Sequence, residues 1–537
     1  MDELLSKHKK LFVGAFIVLA VLALWHLYYV IMGMNATGHS FLLSEYGVLA
    51  LGLTMLSLCT GIFLLCTNHN RELIWIVAFF LLAISSMRVM PGLSAPDEPS
   101  HYISAYYLSN QLMMIEPDDE DGRVRIRKQD VALEDVNEIR VEQDYAYDDD
   151  AEIFGQVPAE KNYYELRNWN KNHEVDPGMT TSAHIRVVTS PLVYLPQAIG
   201  ICIARMLNCS SVVLLTLGKL MNLLAFCAMA FWAVRRMPFG KTIMMAVTLL
   251  PMTINLAASM SYDAMLIGGS FMFIAQVLHL AYDEDKVEWK DIILLAVILA
   301  VISPCKIVYS LMVFLILLIP KEKYRTKLMH VMIWVICIIA AIGSMMLVNA
   351  TVISSYASTA VSDVPWSDEP GFTVYYVLHH PLDSARVFYD TLMYQGSYYH
   401  ETMLGAYLGN LCEELDVPFI VLLFMTLALF ALPLSDSEQD RQLSLKHKII
   451  IAAVCAVIFG LLLGSMMIAW TPISSPVILG VQGRYFLPFL PILLLLIRNR
   501  KLALNRNIDD YVIFLMVCCD AFVLFRLYSM ICLYIPR

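Results

Sequence analysis

Charge is scarce in this chain. Asp, Glu, Lys and Arg make up 16% of its 537 residues, against about 25% in a soluble globular protein, while 58% are apolar. A soluble enzyme of this length needs more charge to cover its surface, so that class is excluded. Net positive charge is also lacking. The 37 basic and 47 acidic residues leave −10, the wrong sign for a surface that tracks phosphates, so nucleic acid is not an expected partner. There is no cysteine framework: most of the 12 cysteines lie inside apolar runs, as Cys59, Cys66, Cys337, Cys455, Cys518 and Cys519 do. No CxxC pair with a histidine partner occurs, which argues against structural zinc and a disulfide scaffold. A phosphate-cradling glycine loop and a dinucleotide fingerprint are missing as well.

What is present is apolar sequence in long runs. A membrane-crossing helix needs about 20 mostly apolar residues. Runs at 11–32, 45–66, 73–91, 212–234, 242–258, 264–281, 291–304, 306–319, 329–349, 417–434, 449–469, 485–498 and 511–533 predict an all-α integral membrane protein with about 13 spans. The runs 291–304 and 306–319 are short and flank Pro304, so they also read as one kinked element that does not cross. The first apolar run is too long for a cleavable signal, and no small-residue cleavage site follows it.

Lys and Arg set the orientation. With the N-terminus in the cytoplasm, every second short loop is cytoplasmic too. Those loops, with Lys7, Lys9 and Lys10, hold 20 basic residues, among them Arg71, Arg235, Arg236, Lys241, Lys321, Lys323, Arg441 and Arg498. The short opposite loops hold almost none. The expected place is the cell membrane, with segments 92–211, 350–416 and 470–484 outside. Segment 191–207, interrupted by Pro196, reads as a juxtamembrane helix on the outer leaflet. Within 97–176 there are 21 acidic and 8 basic residues. An acidic insert at 116–176 is therefore expected to stand off anionic lipid, loosely packed and facing solvent.

Four polar features fall on the outer side. APDEPSH places Asp97, Glu98 and His101 within five residues at a membrane boundary. A carboxylate pair beside an imidazole suits base catalysis, and an acidic helix cap suits the same residues. Asp263, in ASMSYDAM, stands at the outer end of a span as a carboxylate of the site or as a plain cap. Lys306 lies between two short apolar runs, where a lysine is costly and marks a counter-ion or ligand; simple snorkelling is the other reading. In VQGRYFLPFLP, Gln482, Gly483, Arg484 and Tyr485 enter a span from outside. Arg offers a fork of donors matched to phosphate, and Gly lets backbone approach a ligand; an interfacial Arg–Tyr anchor explains the pair equally.

PDEPSH, SPLVYLPQAIG, LLPMTINLAASMSYDA, CKIVYS and GVQGRYFLP, in this order, resemble the bacterial multi-pass family catalogued as domain of unknown function 2142. That family looks like the GT-C class of membrane glycosyltransferases. The resemblance implies a GT-C-like body at 73–498, two extra N-terminal helices in 1–72, and a linker with a last helix in 499–537. It implies an inverting transfer of sugar from a polyprenyl-phosphate donor to a polysaccharide, teichoic-acid-like, protein or lipid acceptor. Asp97 would be the base, with Glu98 and His101 beside it, and Asp263 the second acidic site. Lys306, Tyr309, Gln482, Arg484 and Tyr485 would hold the donor phosphate. The resemblance fixes no cofactor and leaves a divalent Mg or Mn ion open. The other readings are a flippase for a lipid-linked sugar and a non-catalytic assembly protein of envelope polysaccharide synthesis.

Overall fold

The computed structural model describes residues 2–531 apart from 68–69, 135, 137, 143–151, 157–158, 173–175, 284–285, 358–362, 365, 368, 412–414 and 436–440. Among the described residues, eight helices are long and apolar enough to cross a membrane: Glu3–Thr37, Phe41–Cys66, Arg71–Val89, Ser211–Arg236, Asp263–Tyr282, Lys327–Val348, Leu445–Trp470 and Asp509–Ile531. The other five expected spans are helical but short or broken. Pro251 splits 242–258 into Lys241–Thr248 and Pro251–Ala257, because its ring disfavours helix in the residue before it. Phe419–Leu434 and Gly483–Ile497 are shorter apolar stretches.

The pair around Pro304 is a hairpin of two elements, not one kinked helix. Trp289–Ile302 is α-helical, started by a reciprocal Glu288–Asp291 capping box. Ile307–Leu318 is a 3₁₀-helix. Its tighter winding stretches 12 residues to about 24 Å, where α-helix would give about 18 Å. Both arms fall short of a bilayer core of about 30 Å. Lys306 therefore sits at a hairpin tip recessed below the rim of the longer helices.

The basic loops gather at one end of the bundle. Arg71 pairs with Asp510 at 2.6 Å, Lys241 with Glu72 at 2.6 Å, and Arg441 with Asp283 at 2.9 Å. Lys448 donates to the carbonyls of Leu496 and Arg498. The first two helices and the last pack together rather than flanking the body separately. His26 meets the Ser529 hydroxyl at 2.8 Å, and Gly61 leaves room for Phe514 and Phe12, since a Cβ there would lie 2.7 Å from the Phe514 ring.

The insert divides. Its first part is not loose: Val124, Ile126 and Leu133 are buried, and a two-stranded pairing of Arg125–Arg127 with Met179–Thr181 closes it. Tyr106 donates to Asp130, which also holds Arg127 at 2.6 Å with both side chains buried. Alternating apolar residues within an acidic composition let this part pack into the core of the bundle. The acidic run at 148–150 lies outside the described residues. Segment 191–207 is a 3₁₀ turn, Pro191–Tyr194, followed by the helix Leu195–Met206. It packs on Ser211–Arg236 so closely that a Cβ on Gly200 would lie 2.5 Å from the Leu217 carbonyl oxygen.

Candidate functional site

The helix Arg71–Val89 ends before Pro91, and the chain turns through Leu93 and Asp97, both with positive φ, at 52° and 57°. The helix Glu98–Leu112 follows, with Pro99 in its first turn. Asp97 occupies the cap position, yet its side chain makes no cap hydrogen bond. A left-handed non-glycine residue costs on the order of 1 kcal/mol. The capping role that would repay this is not the one the side chain plays. Asp97 turns instead to Arg484, with Oδ2 accepting from Nη2 at 3.0 Å.

Arg484 is the centre of the cluster. Its side chain is 4% exposed and also meets Asp263, Nη1 to Oδ2, at 3.3 Å. Asp263 opens the helix Asp263–Tyr282, and its backbone N–H donates to the Ser261 hydroxyl. Lys306 Nζ stands 2.7 Å from the centroid of the Tyr485 ring, a cation–π contact. Two carboxylates and two cations from four distant stretches thus converge at the end opposite the basic loops. Arg484 Nε makes no hydrogen bond. A buried donor left unpaired costs about 1–3 kcal/mol, so the guanidinium has capacity in hand for another acceptor.

Partial burial raises the Asp97 carboxyl, but the permanently charged Arg484, with its hydrogen bond, and the Lys306 ammonium outweigh it and hold the group below the ordinary carboxylate value. Asp97 is anionic at neutral pH, and 65% of its side chain is exposed. His101 is buried, its Nδ1 2.7 Å from the Tyr194 hydroxyl, with the Tyr262 ring edge-on at 4.9 Å. Burial pushes the imidazole below its usual value against the pull of Asp263 and Asp97, so it stays neutral.

The neighbouring carboxylate points elsewhere. Glu98 is 1% exposed. It accepts from the backbone N–H of Ala95 and of Met260, each at 2.8 Å, and pairs with Lys219 at 3.1 Å. It ties the Asp97 loop to the loop before Asp263 and has no room for a proton-transfer partner. Lys219 escaped the sequence reading, although a lysine inside the run LLTLGKLMNLL carries the signal that singled out Lys306. Asn222, one turn on, donates to the carbonyls of Ser259 and Ser261 and fixes the same loop.

Three further expected site residues work behind the cluster. Tyr309 donates to the Tyr485 carbonyl at 2.7 Å, positioning that residue. Gln482 keeps a buried Oε1 with no hydrogen bond. Gly483 is small for a different reason than expected. A Cβ there would run into the Tyr399 carbonyl and the Met403 amide nitrogen of the helix Pro381–Leu404, while its N–H donates to Thr402. The backbone approaches a helix, not a ligand. No cluster of three His, Cys, Asp or Glu able to hold a metal exists among the described residues. The space between Asp97 and Asp263 is filled by the guanidinium, an arrangement that does not fit a resident divalent cation.

No curated protein and no solved structure matches the chain. The family described as predicted membrane protein (DUF2142) matches residues 78–493. That stretch runs from within the third helix to beyond Arg484 and contains every residue of the cluster, and on this match the chain belongs to the DUF2142 family of membrane proteins.

Proposed function

We propose that the protein is an integral-membrane glycosyltransferase of GT-C type, moving a sugar from a polyprenyl-phosphate carrier to an acceptor hydroxyl at the outer face of the cell membrane. The observation that carries this reading is Arg484, a buried guanidinium between the exposed Asp97 and the buried Asp263 with the Lys306 ammonium nearby. Cations beside a solvent-open carboxylate suit a reaction in which a phosphate leaves and a hydroxyl loses its proton.

In this mechanism the acceptor oxygen attacks the anomeric carbon and the bond from that carbon to the phosphate oxygen breaks. The hydroxyl proton passes to Asp97, and the lipid phosphate departs with its negative charge held by Arg484 and Lys306. Attack opposite the leaving group inverts the anomeric carbon. Donor binding also primes the base. A phosphate that shares Arg484 weakens the hold of the guanidinium on Asp97, whose proton affinity then rises toward the ordinary carboxylate value.

The test is a reconstituted transfer assay with polyprenyl-phosphate sugar. Asp97→Asn keeps shape and polarity and should lower turnover by about 10²–10⁴ while donor still binds. Arg484→Ala should weaken donor binding, by roughly 1.5–3 kcal/mol for one charged hydrogen bond. Transfer by Asp97→Asn at the wild-type rate would remove the base role and favour a flippase or an assembly protein.

A further inference from the structure

A cleft of about 310 Å³ lies between the helices Arg71–Val89 and Ser211–Arg236. Ile84 and Met87 form one wall, Val212, Leu215 and Thr216 the other, and Lys219 reaches it from below. The volume is on the order of ten waters, but the walls are hydrocarbon. Lys219 stands eight residues into its helix, about 12 Å from the outer end. At that depth the surroundings of a membrane-crossing helix are acyl chains, so the phase that fills this cleft is lipid.

Two features separate the cleft from an ordinary groove between helices. The loop that carries Asp97 forms its upper edge, through Met90, Pro91 and Gly92, and Glu98 of the same loop holds Lys219. Above it, Arg88 and Arg167 gather around Glu45, with Arg88 Nη2 3.0 Å from Oε2. Arg88 itself belongs to the lining. A lipid whose chain lies along Met87 and Leu215 brings its phosphate to the level of these guanidinium groups, which match phosphate oxygens as a fork. Its head then leaves the cleft past Gly92, on the loop that ends at Asp97. The donor cations, Arg484 and Lys306, belong to other elements, so two amphiphiles can serve the site at once.

We infer that this cleft seats an anionic phospholipid, and, resting on the transferase reading above, that the acceptor is such a lipid, taken laterally from the membrane.

Thr216 is exposed and lines the cleft, so Thr216→Trp fills the space without repacking the bundle, and Thr216→Val controls for loss of the hydroxyl. The probe is phosphatidylglycerol with a photoreactive acyl chain, in phosphatidylcholine nanodiscs holding the whole protein. Adducts are expected on peptides containing 84–92 and 212–220. They should be competed by unlabelled phosphatidylglycerol, retained in Thr216→Val and reduced about tenfold or more in Thr216→Trp. Equal labelling by a phosphatidylcholine probe, or labelling indifferent to Thr216→Trp, overturns the site. With polyprenyl-phosphate sugar labelled in the sugar, label should move from the donor to a phosphatidylglycerol-linked product, separated from the donor by chromatography, in wild type, and that product should fall about tenfold in Thr216→Trp, with donor binding unchanged. Cleft labelling with no sugar transfer by any variant overturns the transferase reading and the acceptor role but leaves the lipid site. Transfer only to a water-soluble acceptor overturns the acceptor role alone.

Discussion

At the scale of single residues, the cluster is decided by what each side chain turns toward. Asp97 and Glu98 are neighbours in sequence, and one faces a solvent-open cation while the other is locked by two amides and a lysine. Spacing alone cannot separate them, since the split depends on the left-handed conformation at Asp97, a local cost repaid by partners far along the chain. His101 offers a pH test. Its folded value is depressed by burial, so below about pH 6.5, the unperturbed histidine value, the unfolded chain takes up the proton first. Stability should fall as pH drops from about 6.5 until the folded value is reached. His101→Gln should flatten that slope in thermal unfolding followed in detergent between pH 7.5 and 5. Asp97 contributes with the same sign in a lower pH window. Its depressed carboxyl adds stability that is fully present above about pH 3.9 and is lost only as pH falls below that, so it leaves the pH 5–7.5 window unaltered. Gly483→Ala meets backbone on two sides. It should cost at least about 1–3 kcal/mol, the scale of overpacking, read as a lowered unfolding midpoint. A ligand-facing glycine would lower only donor affinity.

At the scale of elements, the long helices were legible because runs of 19 to 35 apolar residues have no other stable solution in lipid. The short pieces were not. A 12-residue 3₁₀-helix at Ile307–Leu318 has the same apolar composition as an α-helix, so composition does not reveal its winding. The cost of burying charge singled out Lys306 from sequence and the phosphate-matching fork singled out Arg484, and the first rule applied to Lys219 would have marked it as a buried cation in need of a partner, which is Glu98. That tie is a prediction at this scale. Lys219→Met leaves Glu98 buried beside apolar wall and should destabilise the protein by about 3–5 kcal/mol. Adding Glu98→Gln should recover part of the loss, because the uncompensated charge goes with it. Additive losses in the double variant, measured by denaturation in detergent, would show that the two side chains are not coupled.

At the scale of the whole molecule, the two ends of the bundle differ in kind. One joins Lys- and Arg-bearing loops through ion pairs, and the other gathers the mixed-charge cluster. From the Lys/Arg asymmetry we propose that the first end is cytoplasmic. A single cysteine at Lys323, in a background cleared of native thiols, should therefore resist an impermeant thiol reagent in intact cells, while one at exposed Glu120 should react. The reverse pattern would invert the topology and move the cluster to the cytoplasmic side. The joint packing of the first two helices with the last was not legible, because an apolar helix carries little information about which other apolar helix it meets.

Asp97 and Arg484 are 387 residues apart. At a synthesis rate of about 5–20 residues per second, roughly 20–80 s pass between the ribosome's addition of the one and of the other. Throughout that interval the loop at Asp97 exists without the guanidinium its side chain pairs with. A chain that stops anywhere before residue 484 therefore lacks the side chain that joins Asp97 to Asp263. Assembly of the cluster is thus a late event in synthesis, set by the arrival of Arg484.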